Sequence, residues 1–256
     1  MRRPRAALPS FAVPALAAVL ALLVASVPSC AASPSTRVQP EPAPSLRSPQ
    51  AIPGAVLIES GRPGPRVAVV GGIHGDETSG IALAEALPSR LSGRLTRGSV
   101  LVVAVANPLA ASSRSGPSGL DLNRLFPAGD REDNPEAARA RELFAILRGC
   151  DLVVDLHEEG LAWLESDRPT LVTNARSAAV ALSALEGSDR PGNGLSNAGF
   201  AFTGGAPRGS LNHELGLVGT AAVTVEVPAR LALHERLRLQ SLAVTALIAA
   251  MGILAQ

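Results

Sequence analysis

A chain of 256 residues that is 46% hydrophobic and 18% charged can bury one good core but is too short for two full domains. Its net charge of +1, without a basic cluster outside the N-terminus, offers nothing to neutralise a row of phosphates, so we expect no nucleic-acid partner. Every basic residue is arginine and there is no tyrosine, which excludes a Walker-type phosphate loop, a Schiff base, a Ser-Lys dyad and a tyrosine acid.

The N-terminus has the layout of an export signal. Three arginines among the first five residues precede an uncharged apolar stretch from Phe11 to Val27, and small residues surround Cys30. The apolar stretch is shorter than the roughly 20 residues of a transmembrane helix and contains Pro14. The export signal, residues 1–30, is therefore predicted to be cleaved so that the mature chain begins at or just after Cys30, with an uncleaved anchor as the alternative. The letters VPSC also resemble a lipoprotein box. Lipidation of Cys30 and simple cleavage therefore both stay open for a protein exported to the periplasm or the cell surface.

The next segment, residues 31–53, is rich in proline and serine and is predicted to be an extended tether. A folded domain is predicted over residues 54–256, where apolar runs and helical patterns alternate. Six runs are typical of strands and lie at residues 55–60, 66–72, 100–107, 151–157, 170–174 and 221–228. Helical patterns are found at Thr78–Leu95, Pro135–Leu147, Ala178–Leu185 and Leu231–Leu254.

This alternation predicts an α/β fold: a single three-layer αβα domain whose mixed, largely parallel sheet is covered by helices on both faces. The last helical pattern carries no charge from Ser241 onward, but that segment is too short to cross a bilayer and is predicted to pack on the sheet. With two cysteines in the chain, disulfides are not expected to hold the domain together.

Polar side chains capable of chemistry lie where the predicted strands end, which is where open α/β sheets bind ligands. His74 and Glu77 follow the second strand, His157 ends the fourth, and Glu226 lies in the last. Two imidazoles and one carboxylate are the ligand set of an open catalytic zinc site, which leaves a position for water. We therefore predict one Zn²⁺ per chain, held by His74, Glu77 and His157.

Other placements of the metal fit less well. The stretches HEEGL and HERLR both lack the second histidine of H-E-x-x-H, and no G-x-S-x-G nucleophile motif occurs. His213 and His234 lie in helical, charged surroundings and are not expected to be ligands. Glu158 and Glu159 are predicted to support the ligands or line the rim of the site.

A long segment over residues 107–127, NPLAASSRSGPSGLDLNRLFP, places Arg114, Asn123 and Arg124 in a loop rich in glycine, proline and serine. Arginine is suited to the planar, bidentate capture of a carboxylate, although a loop arginine can equally be a solvated surface residue. Because the loop lies between two strands that carry candidate ligands, it is a candidate substrate-binding element.

The order HGDE, then NP…R…DLNRLFP, then DLVVDLHEE, then VTVEVP resembles the zinc carboxypeptidase superfamily over residues 54–256. The stretches GGIHGDETSG, DLNRLFP and NPEAARARELFAILRGCDLVVDLH look most like its succinylglutamate desuccinylase and aspartoacylase branch. The resemblance implies that the three candidate ligands hold zinc and that Arg114 steadies the oxyanion. It also implies that Asn123 and Arg124 grip a substrate carboxylate and that Glu226 is the general base.

These roles imply hydrolysis of an amide bond beside a free carboxylate, as in deacylation of an N-acyl amino acid or short peptide. Asp76 and Asp155 flank the ligands and are candidates to accept the second N–H of a ligand histidine.

Two other functions stay open. Four features look more like the murein peptide amidases, which trim cell-wall peptides. They are the spacing from Arg114 to Asn123, the TVEVP ending, the predicted export and the expected lack of the branch's extra C-terminal domain. The second alternative is a catalytically inactive, zinc-stabilised binding module at the cell surface. The tyrosine of digestive carboxypeptidases has no counterpart, and the sequence does not specify an oligomeric state.

Overall fold

The computed structural model describes residues 52–113, 121–128, 134–158, 168–187 and 194–254. The predicted signal, the lipidation site at Cys30 and nearly all of the predicted tether lie outside these residues. Within them, seven strands are present: β1 (Val56–Glu59), β2 (Arg66–Val70), β3 (Ser99–Val103), β4 (Leu152–His157), β5 (Thr170–Thr173), β6 (Ala201–Gly204) and β7 (Ala221–Glu226).

The strands form one mixed sheet in the order β1-β3-β2-β4-β7-β5-β6. The four central strands, β3, β2, β4 and β7, are parallel to one another. At the two sides, β1 is antiparallel to β3 and β5 is antiparallel to β7, while β6 runs parallel to β5. The carboxyl ends of the central strands therefore meet at one edge of the sheet.

Helices cover both faces of this sheet, which confirms the predicted three-layer α/β architecture. The described helices are α1 (Thr78–Leu91), α2 (Pro108–Ser113), α3 (Pro135–Leu147), α4 (Ala178–Gly187), α5 (Leu211–Leu217) and α6 (Leu233–Ala250). Apolar residues of α1, α4 and α6 share one core with the sheet, and those of α3 and α5 share the other. In the part of the chain that the structure describes, no helix has the length and apolar character to span a membrane.

The alternation of side chains along each strand divides the residues between the two cores. In β4, Val154 and Leu156 belong to the core beneath α1, α4 and α6. The residues between and after them, Asp155 and His157, therefore point to the face that carries α3 and α5. By the same alternation Glu226 of β7 shares this face, since Val225 belongs to the first core. Strand periodicity thus brings three polar groups to one side of the sheet edge.

Three short elements escape the sequence patterns. Strand β6 is only four residues long, is partly exposed, and is followed by Gly205 and Pro207, so its sequence is typical of a turn. Helices α2 and α5 have six and seven residues, too few for a helical period to be distinctive.

Two predicted boundaries differ from the structure. Helix α1 ends at Leu91, earlier than predicted, because Pro88 lies in its last turn and the chain turns at Gly93 with φ +71°. Ile52, in the segment predicted as tether, is buried in the core.

Candidate active site

The three predicted metal ligands come together at the carboxyl edge of the sheet. His74 lies in the turn after β2, Glu77 is the N-cap residue directly before α1, and His157 is the last residue of β4. Nδ1 of His74 lies 2.7 Å from Oε1 of Glu77, and Nδ1 of His157 lies 2.9 Å from Oε2 of the same carboxylate. The ligand atoms of all three lie within 4.8 Å of one another, so they could bind one ion. Among the described residues, this is the group of His, Cys, Asp and Glu side chains whose ligand atoms lie close enough together to hold one metal ion.

The outer nitrogen of each histidine is held by an aspartate. Nε2 of His74 lies 3.0 Å from Oδ1 of Asp121, and Nε2 of His157 lies 3.0 Å from Oδ2 of Asp155. A carboxylate in this position fixes the tautomer, so that the unprotonated Nδ1 would face a bound metal, and it raises the basicity of the ring. Asp155 fills the position expected from the sequence.

Asp76 does not fill the corresponding position beside His74. It is exposed at the rim of a cleft that the three candidate ligands and Glu226 also line. Asp121 takes the expected place, which corrects the sequence-based assignment. Asp121 precedes the 3₁₀ turn Leu122–Arg124 and also accepts the backbone N–H of Asn123. The signal for Asp121 was present in the DLNR motif, but its partner is 47 residues away and local spacing does not show that contact.

The electrostatics of the group favour a cation. Burial alone would lower the pKa of His74, but its hydrogen bonds to Asp121 and Glu77 outweigh burial and raise the pKa to about 9. Burial alone would raise the pKa of Glu77, but the attraction of His157 and the close contacts with both histidine rings lower it to about 2. The pKa of His157 is raised by Asp155 and Glu77 in spite of its burial. The carboxylates therefore stabilise positive charge between the two rings.

These residues fit a divalent metal ion of the zinc type. Two imidazole nitrogens and one carboxylate are the donors that zinc takes in sites that leave a position open. Oε2 of Glu77 is buried and has no hydrogen-bond partner among the described residues, although Nδ1 of His157 lies in ion-pair contact with it. A buried oxygen in this state is stabilised by a cation between it and the histidines.

Glu226 provides a second kind of chemistry beside this group. It lies directly opposite His157 in the register of β7 and β4, it is 5% exposed, and it lines the same cleft. Burial, followed by the charges of Glu77 and Asp155 and partly offset by His157, raises the pKa of Glu226 to about 8. Its Oε2 has no hydrogen-bond partner among the described residues. A carboxylate with a pKa near neutrality and a free oxygen is suited to proton transfer.

The two residues expected to bind substrate both line the cleft, but they differ in how far they are already engaged. Oδ1 of Asn123 accepts the backbone N–H of Leu211 at the start of α5, and its Nδ2 lies 3.4 Å from Nε2 of His157. Asn123 therefore holds the cleft wall together. The Arg124 side chain is 47% exposed, donates to the Asn123 carbonyl and lies 3.8 Å from Asp121, which leaves N–H groups of its fork open to the cleft.

The other residues singled out from the sequence lie elsewhere. Arg114 and Glu159 are outside the described residues. His213 pairs with the neighbouring Glu214 on α5, at 2.9 Å. His213 and His234 are both outside the group of described residues that could hold a metal. Glu158 is buried on the opposite side of the sheet edge, where it contacts α1 and α6 rather than the cleft.

Fold and site together define a catalytic domain with a candidate metal centre at the carboxyl edge of a mixed sheet. Residues 63–250 match the succinylglutamate desuccinylase/aspartoacylase catalytic domain, and the chain belongs to this family. The match confirms the family resemblance drawn from the sequence motifs.

Two curated relatives are amidohydrolases. The chain is 37% identical over 102 residues to an N-alpha-acetyl-L-2,4-diaminobutyric acid deacetylase of Halomonas elongata, which is 38% of this chain and 29% of the relative. It is 39% identical over 105 residues to an N-acyl-aromatic-L-amino acid amidohydrolase (carboxylate-forming) of Homo sapiens, which is 36% of this chain and 33% of the relative. The alignments thus span about a third of the length of these relatives.

The fold also matches a solved structure, the apo cell shape determinant protein Csd4 from Helicobacter pylori. The TM-score is 0.64 at 18% identity, and the match covers 78% of this chain and 55% of Csd4. At this identity the likeness shows the fold. The chain is therefore a member of a hydrolase family that includes N-acyl amino acid deacylases, with the fold of this structural neighbour.

Proposed function

We propose that the protein is a zinc-dependent hydrolase that cleaves an amide bond next to a free carboxylate and deacylates an N-acyl amino acid. The observation that carries the proposal is the convergence of Nδ1 of His74 and Nδ1 of His157 on the carboxylate of Glu77, with Glu226 beside them. The names of both curated relatives, a deacetylase and a carboxylate-forming amidohydrolase, support the same reaction class.

Zinc bound there would act as a Lewis acid on the scissile carbonyl and lower the pKa of water. The protein's own residues supply the remaining steps. Asp121 and Asp155 orient the two imidazoles and keep their N–H bonds on the outer side. Glu226 takes a proton from the attacking water through its free Oε2 and returns a proton to the leaving amine. Arg124 binds the carboxylate of the substrate at the rim of the cleft.

Replacement of Glu226 by glutamine tests this assignment. Glutamine keeps the size of the side chain but cannot accept the proton, so turnover should fall by roughly two to four orders of magnitude while zinc content stays at one per chain. The matched control is Glu59→Gln, which changes a glutamate on the exposed end of strand β1. Wild-type turnover in Glu226→Gln would show that another group is the base.

A second candidate function is the trimming of cell-wall peptides. The Csd4 structure aligns with most of the chain, and Csd4 has also been solved with a tripeptide and with a product bound. A panel that pairs N-acyl amino acids with muropeptides separates the two reactions by the ratio of their kcat/KM values. A protein that binds zinc and turns over neither class would instead be the inactive binding module.

We further propose that the protein is exported and acts outside the cytoplasm. The proposal rests on the arginine-led apolar stretch and the small residues around Cys30, followed by a segment rich in proline and serine. Such a segment would hold the catalytic domain away from a membrane if Cys30 carries a lipid.

A further inference from the structure

Helix α1 begins without a side-chain hydrogen bond from its N-cap residue. The first N–H groups of a helix need acceptors, and the N-cap side chain normally supplies one to the second or third helical residue. Here the N-cap residue is Glu77, and its side chain makes no such bond because its carboxylate is turned toward the two histidines. The second helical residue, Ser79, instead donates its backbone N–H to Oε1 of Glu158, 79 residues further along the chain.

The position of Glu158 follows from strand geometry. Leu156 at the end of β4 packs in the core beneath α1 and α6, and His157 points into the cleft on the other face. The next side chain returns to the first face, which places Glu158 beneath the N-terminus of α1. The helix approaches closely there, since a Cβ on Gly80 would lie 3.1 Å from Cβ of Leu156. The last residue of β4 thus serves the cleft, and the residue that follows it serves the helix.

Helix α6 completes the arrangement with two side chains one turn apart. Arg236 donates a hydrogen bond to Oε2 of Glu158, a residue that is only 2% exposed. Four residues later, the buried Gln240 donates through Nε2 to the backbone carbonyl of His157, at 3.1 Å. A carboxylate this deeply buried needs a charged partner, which Arg236 supplies.

We propose that Glu158 is a positioning residue that locks the segment carrying Glu77 to the segment carrying His157, with Arg236 as its required counter-charge. The inference rests on the metal site of the proposed function. It explains how Glu77 can begin a helix and still direct its carboxylate at a metal: another residue caps the helix for it. Metal sites tolerate only about 0.2 Å of deviation in ligand distance. Loss of the contacts that Glu158 makes with Ser79 and Arg236 should therefore weaken metal binding, although Glu158 is not a proposed ligand.

The experiment compares the variants Glu158→Ala, Glu158→Gln, Arg236→Met and Arg236→Lys with the wild type. The matched control is Arg238→Met, which removes an exposed arginine two residues further along α6 that pairs with Glu235. Zn²⁺ affinity is measured by competition with a chromophoric chelator, and the coordination geometry is read from the absorption spectrum of the Co²⁺ form. Glu158→Ala, Glu158→Gln and Arg236→Met should bind Zn²⁺ about 10- to 100-fold more weakly, with an altered Co²⁺ spectrum. Arg236→Lys should recover part of the affinity, and Arg238→Met should match the wild type.

A second readout does not depend on the metal. Hydrogen exchange at the start of α1, measured without added zinc, should be at least about tenfold faster in Glu158→Ala, because the Ser79 N–H loses its acceptor. Glu158→Gln keeps an acceptor oxygen, so it serves if the alanine variant does not fold, and its exchange should rise less.

The possible results separate this inference from the proposed function. If the wild type binds Zn²⁺ and all variants bind it as tightly as Arg238→Met does, the positioning role of Glu158 is refuted and the zinc site stands. A wild type that binds no Zn²⁺ refutes the zinc site, and unchanged exchange at Ser79 in Glu158→Ala then refutes the cap as well. A Co²⁺ spectrum identical to that of the wild type in Arg236→Met would show that the pair serves stability alone.

Discussion

Replacement of Gly75 by alanine should displace the turn that carries the proposed ligand His74, without changing any proposed ligand. Gly75 lies between His74 and Asp76, and a Cβ at this position would lie 2.0 Å from the backbone oxygen of Ala110 and 2.2 Å from its carbonyl carbon. Ordinary contacts begin at 3.4 Å, so the turn and α2 would have to separate by about 1.4 Å. Helix α2 cannot easily retreat, because Asn107 at its start donates its backbone N–H to the Gly72 carbonyl and its side-chain N–H to Glu136.

A displacement of this size has two measurable consequences. Forced overpacking should lower the free energy of unfolding by about 1–3 kcal/mol. Because a misplacement of about 1 Å can reduce catalysis roughly a hundredfold, kcat/KM should fall by about that factor or more. Zinc affinity should also fall at least about tenfold, since the shift is several times the roughly 0.2 Å that metal–ligand distances tolerate.

Urea denaturation, chelator competition and steady-state kinetics on Gly75→Ala measure these three quantities. The control is Gly187→Ala at the end of α4, where a Cβ would meet no atom within 4 Å. Alanine favours helix more than glycine does, so the free energy of unfolding of Gly187→Ala should equal that of the wild type or exceed it by up to about 1 kcal/mol. Wild-type zinc affinity in Gly75→Ala would refute the claim that the turn between β2 and α1 positions the metal.

Four further outcomes follow from the site and the N-terminus. Asp121→Asn should weaken zinc binding about 10- to 100-fold in a chelator titration, whereas Asp76→Asn should change it less than about threefold; the reverse order would show that the aspartates are wrongly assigned. Zinc must displace the proton that His74 holds with its pKa of about 9, so affinity should rise with pH from 6 to 8 by at least about tenfold per unit, with proton release seen by calorimetry in two buffers; a flat profile would contradict this. Amidation of the substrate carboxylate should reduce wild-type kcat/KM about 10- to 100-fold and leave Arg124→Ala, already weak, nearly unaffected; equal wild-type activity on both substrates would return Arg124 to a surface role. Mass spectrometry of the native protein should find no peptide from residues 1–29, and an intact N-terminus in the cytoplasm would overturn the proposed export.

The fold could be predicted from the sequence because its central strands are buried on both faces. Such strands contain continuous apolar runs, as at residues 67–70 and 100–103, and they are recognisable without any knowledge of their partners. Strand β6 and helix α5 gave no comparable signal, because each is short and its stability comes from packing on neighbours rather than from local propensity.

The candidate site was predictable where side chains follow strand ends. His74, Glu77, His157 and Glu226 could be grouped because the carboxyl ends of parallel strands share one edge. The partners that orient them could be found only in part. Asp155 is two residues from His157 on one strand and so lies on the same face. Asp121 is 47 residues from His74, and sequence spacing does not predict their contact.

Anomalous diffraction at the zinc edge, from crystals grown with stoichiometric Zn²⁺, tests the central claim most directly. The proposed site requires one strong peak about 2.0–2.2 Å from Nδ1 of His74, from Nδ1 of His157 and from the carboxylate of Glu77. Nε2 of each ring should remain hydrogen-bonded to Asp121 or Asp155. A peak that lies on the Nε2 side of either ring, or no peak between the three residues, would contradict the assignment.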